Sequence, residues 1–126
     1  MIRTELSLRL PNSPGALAGI CRLLSNEHVN IVALSLEASG RLRLIVDNPV
    51  RASGALTARH HQVSQQDVLF VVVANQHGSL ASVLSLASDA GVNVNYAYGT
   101  GAEGSPSAAV VIGVDDAMRA SAAVGT

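Results

Sequence analysis

The chain has 126 residues, of which 48% are apolar, 13% charged and 2% aromatic, with a formal net charge of −1. That length allows one ordinary domain or two very small ones. The core must be Val, Leu, Ile and Ala, and the charge balance offers nothing to a nucleic acid. The lone cysteine, Cys21, excludes an internal disulfide and a multi-cysteine metal site.

In chain order, Arg3–Leu10 alternates as a strand, with Leu6, Leu8 and Leu10 on one face and Glu5, Ser7 and Arg9 on the other. Pro11–Gly15 is a turn cluster in which Ser13 is a candidate helix cap and Pro14 a first helical residue. Leu17, Ile20, Cys21 and Leu24 then recur at helical spacing, which makes Cys21 a small core residue rather than a nucleophile. Asn30–Ala38 and Arg41–Val46 form strands joined by a turn at Ser39-Gly40, and Asn48-Pro49 opens a helix to about Ala58. His61–Gln65 is a short strand or a linker. Val68–Ala74 is a strand whose unbroken apolar run predicts burial on both faces or a central position. Ser79–Ala90 is a helix with Leu80, Val83, Leu84 and Ala87 inward. Asn93–Gly99 and Ser107–Val114 form a hairpin with a mobile loop between them, and Asp115–Val124 is a last helix with Asp115 or Asp116 at its positive end.

The chain repeats itself. Leu6–Val32 aligns without a gap on Leu69–Asn95 at an offset of 63, and Val46-Asp47 and Arg51-Ala52-Ser53 recur as Val114-Asp115 and Arg119-Ala120-Ser121 at an offset of 68. The growth in offset is a five-residue insertion in the second hairpin loop. Each copy reads β-α-β-β-α, with a possible closing strand only in the first, an α+β arrangement of the ferredoxin-like kind. The expected modules are residues 1–65 and 66–126, the second without its last strand.

Two polar features recur at element ends: the turns Asn12-Ser13-Pro14-Gly15 and Asn75-Gln76-His77-Gly78, and the asparagines Asn30 and Asn93. A helix N-terminus leaves N–H groups unpaired at its positive end and can hold a carboxylate. Asparagine adds an acceptor for an ammonium group, so the set suits a zwitterion. Asn and Gly are also the ordinary residues of turns, and both readings stay open on chemistry alone. His60-His61 points to opposite faces if extended and chelates poorly. His77 is either a site contact or an exposed turn residue, and Tyr96 and Tyr98, on one face of a strand, either pack or stack on a ligand. No nucleophile elbow, P-loop or zinc-protease motif is present, and no acid/base pair stands out, so neither enzyme activity, a catalytic residue, a cofactor nor a metal is expected.

Leu10-Pro-Asn-Ser-Pro-Gly-Ala-Leu-Ala followed by Leu23-Leu-Ser-Asn-Glu-His-Val-Asn-Ile resembles the signature of the ACT domain, Asn-x-Pro-Gly, a helix, then Gly-x-Asn-Ile. Leu42-Arg-Leu-Ile-Val-Asp-Asn-Pro and Gly91-Val-Asn-Val-Asn-Tyr-Ala-Tyr resemble small stand-alone proteins of two tandem ACT domains, and the likeness covers nearly the whole chain. The resemblance implies βαββαβ modules paired side by side with helices on one face, and regulatory binding of a small amino acid where modules meet. Carried over, Asn12, Ser13, Pro14, Gly15 and Ala16 with Asn93 would line one site, and Asn75, Gln76, His77, Gly78 and Ser79 with Asn30 the other. The second turn departs from the pattern, with His77 for Pro14 and Ala74 for Pro11, and His28 replaces the glycine found at Gly91. The resemblance also implies a homodimer or higher homo-oligomer and a metabolic enzyme as a further partner. The alternative is a ligand-free association module that dimerises or docks. Neither a leader nor an apolar run of membrane-spanning length is visible, so a cytoplasmic protein with no membrane or nucleic-acid partner is expected.

Overall fold

The computed structural model describes residues 1–125 and is α+β. Its elements are β1 (Ile2–Arg9), α1 (Ala16–Asn26), β2 (Ile31–Leu36), β3 (Arg41–Val46), α2 (Pro49–Ala58), β4 (Ser64–Ala74), α3 (Ser79–Asp89), β5 (Tyr96–Thr100), β6 (Ser107–Gly113) and α4 (Ala117–Val124). Thr126, the end of the expected second module, lies outside the described residues. The chain forms two compact units, one of residues Thr4–Gln66 and one joining Met1–Arg3 to the residues from Asp67 onward.

In the Thr4–Gln66 unit, β3 pairs antiparallel with β1 on one side (Leu6 opposite Leu44, Leu8 opposite Leu42) and with β2 on the other. Alternation fixes the register, because a slip of one residue would turn the leucines outward. Leu6, Leu8, Leu10, Leu42, Leu44 and Val46 pack with Ile20 and Leu24 of α1 and Ala52 and Leu56 of α2. Cys21 is only half-buried, at the margin of this stripe. The other face of the sheet is not simply polar: Ile45 is fully buried and Glu5 is 3% exposed, its carboxylate 4.0 Å from Arg43 Nε.

In the second unit β6 pairs antiparallel with β4 and β5. Val68, Leu69, Phe70 and Val71 are four consecutive buried residues, as the apolar run predicts, but the run does not stay buried: Val72 is 61% exposed and Ala74 is exposed as well. The four are buried because β4 is bonded on both edges: β6 lies on one side, and on the other Phe70 N donates to Met1 O at 2.8 Å. Ile2 packs with the core of Leu69, Val71, Val110 and Ile112. Among the described residues no strand follows α4, and the opening residues of β1 occupy that edge of β4. Strand β4 starts earlier than its apolar run, so Ser64–Gln66 belong to the first unit and Asp67–Ala74 to the second. Helix α3 departs from expectation at Leu80, which is 43% exposed although it shares a stripe with buried Ala87.

The motif repeated at offset 68 has a structural use. Asn48 Oδ1 accepts from Arg51 N at 3.1 Å and caps α2, and Asp116 Oδ1 does the same for Arg119 N and α4. The two guanidinium groups reach back to the preceding helix ends, Arg51 to Glu27 O at 3.3 Å and Arg119 to Ala90 O at 2.5 Å. One arginine per copy therefore joins the start of one helix to the negative end of the other.

Candidate ligand site at the first strand-helix turn

Helix α1 starts two residues later than a Ser13 cap with Pro14 in first place would require. Its N-cap is Gly15, in left-handed geometry at φ +82°, and no side chain caps it. The turn closes through its own backbone: Ser13 N donates to Pro11 O at 2.9 Å and Ala16 N to Ser13 O at 3.3 Å. No protein atom would lie within 4 Å of a Cβ on Gly15, so its backbone angle, not crowding, demands glycine.

That open space is part of a recess of about 360 Å³. Asn12, Gly15, Leu17 and Ala18 form its turn-and-helix wall, and Leu36, Glu37 and Gly40 of the β2–β3 hairpin form the facing wall. Leu17 and Ala18 stand in the first turn of α1, where N–H groups have no helical acceptor. The hairpin is held against the strand end by Leu10 N, which donates to Gly40 O at 2.7 Å. The Glu37 carboxylate takes hydrogen bonds from Arg43 and, at 3.4 Å, from Ser39 Oγ. The Arg43 bond, foremost, holds this carboxyl below the usual carboxylate range.

Of the sequence-predicted residues, Asn12, Ser13, Gly15 and Ala16 line this recess; Pro14 lines a separate, more apolar hollow with Leu23 and Arg59. Asn30 sits at the far end of β2, where its backbone N–H donates to Asp47 Oδ1 at 2.9 Å and its carbonyl accepts from Asp47 N at 3.1 Å. The hairpin residues Leu36, Glu37 and Gly40 escaped the sequence reading. Their only signal was an acidic residue at a hairpin tip followed by Arg41 and Arg43.

The second copy builds the same turn, with Gly78 at φ +81° as N-cap of α3, and uses it differently. Asn75, the counterpart of Asn12, donates through Nδ2 to Ala102 O at 3.2 Å and Ser105 O at 2.9 Å, and its N–H donates to Pro106 O at 3.1 Å. The inserted loop is thereby tied onto the turn, where a mobile segment was expected. Gln76, His77, Gly78 and Ser79 continue this turn, with His77 exposed. Asn93 lines a small hollow of about 120 Å³ with Gly91, Asp115, Asp116 and Arg119. Tyr96 and Tyr98 stack on one face at 6.4 Å between ring centroids, with Tyr96 lying over Gly113.

Residues 1–124 match the family described as an ACT domain pair. The chain belongs to the ACT domain family. A protein of Bacteroides thetaiotaomicron, BT0572, is 31% identical with a TM-score of 0.90 over 99% of this chain and 88% of its own. The ligand-free regulatory subunit of aspartate kinase from Thermus thermophilus shares the fold at 17% identity and a TM-score of 0.71, over 99% of this chain and 92% of that one. Escherichia coli aspartokinase III in complex with lysine and aspartate shares it at 16% identity and a TM-score of 0.62, over 94% of this chain and 30% of the enzyme. No curated protein matches. Among the described residues of this ACT domain pair no helix is long and apolar enough to cross a membrane.

Proposed function

We propose that this ACT domain pair is a regulatory binder of a small amino acid and performs no catalysis of its own. The observation that carries the reading is the recess at the β1–α1 turn, where a helix start without a side-chain cap faces a hairpin bearing Glu37. The α-carboxylate is held at the N–H groups of Leu17 and Ala18, where the helix dipole favours negative charge. The Asn12 side chain, which offers both a carbonyl and an amide, receives the ammonium group. Regulation follows by linkage: the ligand favours whichever arrangement of the protein binds it better, and only by that difference. The partner that reads this state is a metabolic enzyme, and the protein acts as a homo-oligomer in the cytoplasm.

The first turn is the working site and the second is reduced, because the inserted loop is tied onto the second turn through the Asn75 amide, which fixes how that side chain is turned. A thermal-shift screen against the common amino acids tests the reading. One specific ligand at a hundred times its Kd contributes about 2.7 kcal/mol and raises Tm on the order of 10 °C. Asn12→Ala weakens that response while leaving the unliganded Tm in place, and Asn75→Ala does not weaken it. Asn93→Ala, also expected to weaken binding, asks whether the second module takes part. Silence across the panel at millimolar concentration refutes sensing and leaves an association module.

A further inference from the structure

Beside the hairpin, on the face of the first unit's sheet away from its helices, lies a second recess of about 380 Å³. Its walls include Ser7, Arg9, Arg41, His60, His61 and Ser64. Arg9 and Arg41 are direct cross-strand partners in the β1–β3 ladder. Like charges placed opposite each other repel, and a sheet normally avoids the pairing. Arg9 is anchored by a bond from Nη1 to Ser39 O at 2.9 Å, and Arg41 Nη1 makes a long contact of 3.5 Å with Ser7 Oγ. Among the nearby acids, Glu37 bonds Arg43 and adds its field at Arg41, and Glu5 lies beside Arg43.

The fold does not require this pair. In the second copy the same ladder position is Val72 opposite Ala109, an ordinary apolar pair. The linker adds a further residue. His60 has φ +68° at the end of α2, a stop position where glycine is the usual residue and where α4 has Gly125 at φ +79°. His28 takes the same backbone region at φ +59°, so the fold accepts histidine there, and what sets His60 apart is its place in the wall of the recess.

We propose that this recess binds a small phosphorylated molecule through its phosphate group. Arg9 and Arg41 form the two-pronged cation, His60 and His61 donate from the linker, and the hydroxyls of Ser7 and Ser64 complete the cradle. A bound dianion converts the repulsion between the arginines into attraction. The site is separate from the amino-acid recess and stands or falls independently of it.

The test titrates the full chain with inorganic pyrophosphate at low ionic strength, by calorimetry and by the histidine ring resonances. Binding at submillimolar Kd is expected, weakening as salt rises. Arg9→Gln/Arg41→Gln loses at least about tenfold in affinity, the gap between charge-assisted and neutral contacts. Without pyrophosphate that double variant is at least as thermostable as the parent, since the repulsion is gone. Should it fail to fold, Arg9→Gln alone, at an exposed position, and His60→Asn, whose side chain also accepts positive φ, each lose a few-fold. Arg59→Gln, a neighbouring cation outside the recess, binds as the parent does. No heat and no shift up to 10-millimolar-range pyrophosphate, or unchanged affinity in the folded double variant, overturns the proposal.

Discussion

Substituting alanine for glycine at three positions should give three different results, because the structure assigns each glycine a different reason. Gly40 is buried in the β2–β3 turn at φ +94°, and a Cβ there would fall well inside contact distance of Leu10 O. The left-handed backbone alone costs an alanine roughly 1–2 kcal/mol. The clash adds about 1–3 kcal/mol, since Leu10 cannot retreat without stretching its own bond to Gly40 O. The stiffer unfolded chain returns about 0.4–1 kcal/mol, so Gly40→Ala should destabilise by roughly 2–4 kcal/mol. Gly15 shares the positive φ but has no atom near its Cβ, so Gly15→Ala should cost only about 1 kcal/mol. Gly54 lies inside α2 with open space before it, and alanine there should stabilise by about 0.5–1 kcal/mol. Urea unfolding followed by circular dichroism reads all three as shifts in midpoint at constant slope. If Gly40→Ala moved the midpoint no further than Gly15→Ala, the close approach of strand end and hairpin, and with it the hairpin wall of the recess, would be wrong.

Other perturbations test other joints. His28 has φ +59° where the second copy has Gly91 at φ +72°, so His28→Gly should stabilise by about 0.5 kcal/mol in the same urea assay and His28→Val should destabilise. Arg51→Ala and Arg119→Ala each remove a guanidinium from a helix C-terminus and should cost about 0.5–1 kcal/mol apiece, with the larger loss for Arg119 and its shorter bond. Glu37 titrates lower in the folded chain than in the unfolded one, so its bond to Arg43 supports folding above the unfolded carboxylate range and is lost as pH falls through the folded value. Glu37→Gln should therefore flatten the acid limb of a Tm-against-pH curve.

Where local pattern and local chemistry agree, the sequence locates an element to the residue. Strand β3 alternates over Arg41–Val46 and α2 opens at Asn48-Pro49, and both have the expected bounds. The start of β4 was legible only as an alternative, a short strand or linker over His61–Gln65, because Ser64-Gln65-Gln66-Asp67 is polar and exposed and does not show its continuity with the apolar run. The Ser13-Pro14 reading failed because a good capping residue was competing with a glycine able to take positive φ, and the glycine won. Half of the candidate recess was legible as a turn. The other half was not, since Glu37 and Gly40 reach it through a hairpin whose position depends on the bond between Leu10 and Gly40, 30 residues apart.

The duplication shows which polar residues the fold needs and which it tolerates. Arg51 and Arg119 do the same work in each copy, and so do Asn48 and Asp116, which marks them as architecture. Asn12 and Asn75 occupy the same place and do different work: one lines an open recess, while the other has both amide hydrogens on a loop that the first copy lacks. An insertion of five residues is thus enough to turn a candidate binding asparagine into a structural one. Deleting Ala102–Pro106 should undo this, because Asn75 then loses both acceptors and the second turn regains the form of the first. If such a variant folds and binds a second equivalent of the amino acid found in the screen, calorimetric stoichiometry will double. A stoichiometry that stays fixed in the folded variant would mean that something besides the loop, such as His77 in place of proline, keeps the second turn from binding.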